Sequence, residues 1–204
     1  MKPTLKSGHE KFHANRKALS FTLSEFWKWS VSDLISNATR GRLAEFVVAK
    51  ALRISTKTVR NEWGEYDLKL RVGKSRFLKL EIKSAAYVQT WTQSKPSSIQ
   101  FEVKKRWVWN SRTKRWRHRR VADVYVFALL KEKHKKLLNP LDVMQWDFYV
   151  LPTEILNKRK RSQHSITLNS LSELTNAIKY YHLRKAVQNT QTRPKVRSGI
   201  NKPQ

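Results

Sequence analysis

The sequence contains no cysteine. That excludes disulfides, cysteine-ligated zinc sites and a thiol nucleophile. Glycine is scarce, five in 204 residues, and none belongs to a Gly-rich phosphate-cradling loop. The histidines (His9, His13, His118, His134, His164 and His182) show no metal-ligand spacing. Ser84 has no nucleophile elbow around it. The longest clean apolar run, residues 124–130, is far too short to span a bilayer. The opening MKPTLKSGHEKFHANRK is polar and lacks the apolar centre of a secretory leader. A soluble, cytoplasmic protein is therefore expected.

Acidic residues are the other shortage, 15 against 43 Lys and Arg, for a formal net charge of +28. A polyanion, nucleic acid above all, is the natural partner. A ribosome-associated or membrane-surface role would share the charge, but no basic amphipathic helix stands out, so no membrane partner is expected. Apolar residues reach 39%, with eight Trp, eight Phe and six Tyr. That is enough for a core, so the chain is not disordered throughout.

The length suits one domain with tails. Residues 1–20 read as a basic arm, 21–183 as the folded domain, and 184–204, with six Lys or Arg and no acid, as a disordered tail. Thr22-Leu-Ser-Glu25 forms a capping box ahead of a short helix carrying Phe26, Trp27 and Trp29. Residues 40–52 read as a second helix. Strands are expected over 65–71 and 77–83, joined by a turn around Gly73, then over 98–109, 122–130 and 145–151. Ser170-Leu-Ser-Glu173 is a second capping box, predicting a helix toward Tyr181. This order implies an α/β fold with a central mixed β-sheet flanked by helices.

Strand alternation locates candidate chemistry. Over 65–71, Tyr66, Leu68 and Leu70 share one face while Asp67, Lys69 and Arg71 share the other. Over 77–83, Leu78, Leu80 and Ile82 oppose Lys79, Glu81 and Lys83. A three-residue turn at Gly73-Lys74-Ser75 sets Asp67 directly across from Glu81, with Cβ atoms roughly 5 Å apart. Two carboxylates so placed repel, and a hard cation such as magnesium offsets the repulsion. Lys83 lies on the same face, where its ammonium can position water or stabilise charge developing on a phosphate. The competing reading is a solvated strand face of mixed charge. Glu45 bears on that choice. It sits among Leu43, Ala44, Phe46, Val47, Val48, Ala51 and Leu52 on a helix apolar nearly all round, which predicts burial. A buried carboxylate must face a cation, either a metal or an arginine such as Arg40 or Arg42.

Glu45 on a helix, Asp67 on a strand and Glu81-Ile82-Lys83 on the next strand resemble the PD-(D/E)XK nuclease superfamily. The residue before the first acid is Tyr66 where that family has proline. The stretches RGRLAEFVVAKAL, EYDLKL, LEIKSAAYVQTW, ADVYVFALL and QWDFYVLPTEIL are more closely similar to an uncharacterised bacterial group assigned to that superfamily. The resemblance implies a restriction endonuclease-like fold and a magnesium- or manganese-dependent endonuclease acting on DNA. Asp67, Glu81 and the Ile82 carbonyl would hold the metal. Lys83 would orient or activate water, and Glu45 would hold a second metal or a metal-bound water. Gln89 and Gln93 are candidate substrate contacts.

The run 104–120 holds nine Lys or Arg and no acid, interleaved with Trp107, Trp109 and Trp116. Lys104, Lys105, Arg106, Arg112, Lys114, Arg115, Arg117, Arg119 and Arg120 are expected on phosphates, and Trp116 on bases. The alternative is a solvated hairpin whose tryptophans enter the core. The other aromatics Trp27, Trp29, Trp146, Phe148 and Tyr149 are expected in the core. RNA as substrate, a non-catalytic nucleic-acid-binding role and a homodimer stay open at this point.

Overall fold

The computed structural model describes residues 3–191. Within them, a four-stranded mixed sheet is ordered β3-β4-β8-β9, from β3 (Leu68–Arg71), β4 (Phe77–Ala86), β8 (Val124–Leu130) and β9 (Trp146–Pro152). β4 pairs antiparallel with β3 and parallel with β8, and β8 pairs antiparallel with β9. Every residue of β8 is buried, as expected of a continuous apolar strand covered on both faces.

Alternation divides the sheet between two cores. Leu78, Leu80 and Ile82 of β4 pack with Ala44, Val47 and Val48 of α2 (Asn37–Ala51) and with Leu183 and Val187 of α5 (Leu183–Asn189). Ala85, Phe127 and Leu151 face the other way, against Phe101 of β5 (Gln100–Glu102), Ile166 of β10 (Ser165–Thr167), Leu156 of α3 (Thr153–Lys158) and Leu171 of α4 (Leu168–Ser172). Each fully buried Leu, Phe or Val contributes roughly 1.5–3 kcal/mol. No helix among the described residues is long and apolar enough to cross a membrane.

Two hairpins stand apart from the sheet. β1 (Lys11–Ala14) and β2 (Lys17–Thr22) are joined through Asn15 and Arg16, both at positive φ, the backbone of a two-residue hairpin turn. Most of this hairpin lies within residues 1–20, which were expected as a basic arm. It leads into α1 (Leu23–Val31), whose capping box joins Thr22 and Glu25 as expected. Gly8, at φ +92°, lies where a Cβ would approach Trp27 to 3.0 Å. No residue of α1 is buried, and Trp29 is 84% exposed. Trp27 and Trp29 are thus not core residues, whereas Trp146, Phe148 and Tyr149 are. The second exposed hairpin pairs β6 (Arg106–Asn110) with β7 (Arg115–Arg119).

Two C-terminal expectations are corrected. Thr167, whose hydroxyl accepts from Ser170 N–H, caps the helix there, and no helix continues from 173 toward Tyr181. Residues 183–189 form α5, with Leu183 and Val187 fully buried, so the expected tail does not begin at 184. Residues 192–204 lie outside the described range.

Candidate active site

Leu68 pairs with Leu80 in the β3–β4 ladder, the register that alternation and the short turn predict, and Asp67 lies one residue before the ladder, within the field of Glu81. Val72 N–H donates to Arg76 O at 3.0 Å and closes that turn. Asp67 N–H donates to Leu80 O at 3.0 Å, and Asp67 Oδ2 accepts from Ile82 N–H at 2.7 Å. The carboxylate is thereby fixed at the sheet edge from both ends. Glu81, buried at 7% exposure, accepts from Lys83 Nζ at 2.8 Å and from Arg106 Nη2 at 3.1 Å. Arg106 also donates to Glu65 O at 2.8 Å, so it ties the base of the β6–β7 hairpin to the acids.

Glu45 is buried on α2, as its apolar neighbours require. Its cation is Arg60, which grips both carboxylate oxygens, Nη2 to Oε1 at 2.7 Å. The expected partners are engaged elsewhere. Arg42 pairs with Glu62 at 3.0 Å, and buried Arg40 donates to Ile35 O and Asn37 Oδ1. Phe46 departs from the expected apolar surround, being 49% exposed.

Electrostatics set the three acids in one field. Burial pushes the Asp67 carboxyl up to about 6, and the Glu81 charge and then that of Glu45 push the same way, against the Ile82 N–H and Lys83. Glu45 in turn holds Arg60 more firmly protonated. Tyr125, opposite Glu81 in the β4–β8 ladder, is pushed up to about 12 by burial and by Glu81. Its phenol is therefore a neutral donor at ordinary pH. Glu81, Lys83, Arg106 and Tyr125 line a cavity of about 170 Å³ on one side of the acid row, and Glu45, Arg60 and Asp67 line a larger one on the other.

The donor chemistry fits a hard divalent cation. Asp67 and Glu81 are oxygen ligands that repel one another, and the Ile82 carbonyl lies in the same strand segment. Among the described residues no group of three or more His, Cys, Asp or Glu side chains stands in metal-holding geometry. Glu45 is tied to Arg60.

The basic run divides. All of β7 is exposed, and Arg112, Lys114, Arg115, Trp116, Arg117 and Arg119 lie on or beside this open ribbon. Trp107 and His118, and Trp109 and Trp116, form cross-strand ring pairs with centroids 5.0 and 5.5 Å apart. These tryptophans are 65, 46 and 61% exposed, so none enters the core. Lys104, exposed, pairs with Glu102, and Lys105 is half-buried. Arg120 is corrected from a phosphate contact to an internal strut. It is 5% exposed and donates to Val103 O, Asn157 Oδ1 and Gln163 O. Gln89 and Gln93 are also scaffold: Gln89 is buried and donates to Ala86 O, while Gln93 accepts from Gln89 N–H and donates to Ser97 Oγ. Arg60 and Tyr125 escaped the sequence reading. Arg60 lies in a loop without periodicity, and Tyr125 is one member of an unbroken apolar strand.

A family model described as bacteriophage T4 endonuclease IV matches residues 11–170. That span includes Glu45, Asp67, Glu81 and Lys83. A solved structure, that of the bacterial homing endonuclease I-Ssp6803I, is similar over 78% of this chain and 99% of that one, with 18% identity and a TM-score of 0.39. No curated protein matches the chain.

Proposed function

The chain belongs to the bacteriophage T4 endonuclease IV family, and on that premise we propose that it is a divalent-metal-dependent DNA endonuclease of the PD-(D/E)XK type. Its reacting centre is Asp67, Glu81 and Lys83. The observation that carries this reading is Asp67 at the end of the β3–β4 ladder within the field of Glu81, with Lys83 on Glu81 and the Asp67 carboxyl pushed up to about 6. Burying like charges side by side is costly, and a cation bound between them offsets that cost.

Asp67, Glu81 and the Ile82 carbonyl would hold magnesium or manganese, whose charge offsets that building up on the scissile phosphate. Lys83 directs N–H donors at the attacking water and adds positive charge beside the phosphate. Tyr125 keeps its proton and donates into the same cavity. Glu45 holds the Arg60 guanidinium in one orientation at the acid row, where its remaining N–H donors can reach a phosphate oxygen. DNA as partner is supported by the net charge and by the exposed Arg115, Arg117 and Arg119.

The test is incubation of the purified protein with supercoiled plasmid and, separately, with RNA, in EDTA, magnesium or manganese. Nicked or linear plasmid in the metal lanes alone is the expected result. Cutting in EDTA, or of RNA only, would overturn the reading.

A further inference from the structure

Between α2, the loop 53–67 and edge strand β3 lies a cavity of about 690 Å³. It falls within the roughly 300–1,000 Å³ typical of small-ligand sites. Its lining mixes apolar and polar groups. Phe46 is 49% exposed on a helix whose neighbours Glu45 and Val47 are buried, and Val59 is 38% exposed. Tyr66 supplies a second aromatic ring. Thr58 and Asn61 add hydrogen-bonding groups. At one end the lining includes Asp67 and the Glu45–Arg60 pair, so the cavity adjoins the acid row, and its other charged residues are Lys69, Glu65 and Arg42, the last paired with Glu62.

We propose that this cavity is a nucleobase pocket, taking the base of a nucleotide next to the phosphate that lies at Asp67 and Glu81. The inference rests on the nuclease reading and extends it to a site on the far side of Asp67. A phosphodiester held at the acid row must send one of its two nucleosides toward this cavity. A base has apolar faces and a hydrogen-bonding edge, which matches rings from Phe46 and Tyr66 beside the polar groups of Thr58 and Asn61. Lys69 in the lining can take a phosphate next to that base. Entry requires the base to leave its stack, and stacking on an aromatic side chain compensates for part of that cost.

The test uses the full chain in EDTA and four deoxynucleoside monophosphates as probes, followed by chemical-shift perturbation. Deoxyribose 5-phosphate, which has no base, is the control. At least one monophosphate is expected to shift the amides of residues 54–68, with a dissociation constant about 10-fold or more below that of the control. Phe46→Ala should weaken that binding about 10-fold, and Val59→Arg should block it by filling the cavity. Leu141→Ala, at an exposed residue outside the cavity lining, should leave it unchanged. A thermal melt checks that each variant folds. Equal binding of the base-free control would make this a phosphate site and overturn the proposal, as would base binding indifferent to both pocket variants. The plasmid assay separates the two ideas. An uncut plasmid with base-selective binding here would sink the nuclease reading and leave the pocket. A cut plasmid without base-selective binding would do the reverse.

Discussion

Two antiparallel hairpins lie close together in this molecule and have opposite characters. β3–β4 is built into the sheet, with Leu70, Leu78 and Leu80 buried on one face and Glu81 buried on the other. β6–β7 is nearly all exposed, with Val108 its one buried residue. The first hairpin surrounds its charged groups with fixed partners, Ile82 N–H on Asp67 and Lys83 and Arg106 on Glu81. The second leaves Arg115, Arg117 and Arg119 in solvent. On the proposed function the difference separates two tasks. Groups that act on one atom must be held still by packing. Groups that grip a polyanion gain from reach and need no fixed partner. Arg106 links the two, rooted in the ribbon and bonded to Glu81.

The sharpest way to break this comparison is to exchange the roles experimentally. Asp67→Ala or Lys83→Ala should each lower single-turnover cleavage by at least about 1,000-fold, and the double variant should lose little more, because the groups act as one unit. Additive losses would show that the two side chains work independently.

Arg120 sharpens the contrast, since it shares the charge run of the ribbon but is turned inward. Arg120→Ala should destabilise the fold by about 2–4 kcal/mol, because it removes several buried charge-assisted hydrogen bonds at once. Denaturant titration measures it, and a change under about 0.5 kcal/mol would return Arg120 to the surface set.

Asp67→Asn should move stability the other way. The folded-state carboxyl is pushed up to about 6 from 3.8, so the native chain holds the proton more tightly than the unfolded one. Ionised Asp67 therefore costs stability, and the cost grows as pH rises from about 4 to about 6 and stays constant above. In EDTA the Asn variant should be about 1–3 kcal/mol more stable than the parent at pH 7 and equal to it near pH 3.5. An Asn variant less stable at pH 7 would mean the carboxylate is held there by partners that favour its charge. A variant both inactive and more stable shows a group kept for chemistry at the expense of stability.

The ribbon should respond on a smaller scale. Neutralising Arg115, Arg117 and Arg119 together should reduce the salt slope of log K for duplex DNA by up to about 0.9 per lost contact. The loss should be similar for every sequence, because phosphate contacts do not read bases. An unchanged slope would make the ribbon a solvated hairpin. Trp116→Ala, at 61% exposure, should alter stability by no more than about 0.5 kcal/mol.

What could be read from sequence follows the same division. The β3–β4 register was legible because residues 68–71 and 77–83 alternate and a tight turn leaves one register. The buried strand at Val124–Leu130 was legible from its unbroken apolar run, and the helix bearing Glu45 from apolar residues nearly all round it, of which Phe46 proved exposed. Arg60 was not, since residues 53–64 have no period and its pairing with Glu45 exists only after folding. Arg106, Arg119 and Arg120 look alike in one basic run, yet the first bonds an acid, the second faces water and the third is buried. Charge density says that a run is basic, but only the fold decides which side chain each partner takes. The Ser170–Glu173 box misled because Thr167 offers an equivalent cap three residues earlier. The buried face of α5 was present as Leu183 and Val187, one helical turn apart, but was masked by the basic residues around it.

The central claim is that Asp67, Glu81 and Lys83 form the reacting centre and need a divalent cation to work. The most direct test compares single-turnover cleavage of one DNA substrate by the parent protein and by Glu81→Gln across a magnesium titration that starts in EDTA. The account predicts that the parent has no activity in EDTA and a rate that rises to saturation with magnesium. It predicts that Glu81→Gln, folded by thermal melt, stays at least about 1,000-fold slower at every concentration. Parent-like cleavage by Glu81→Gln, or undiminished cutting in EDTA, would contradict it.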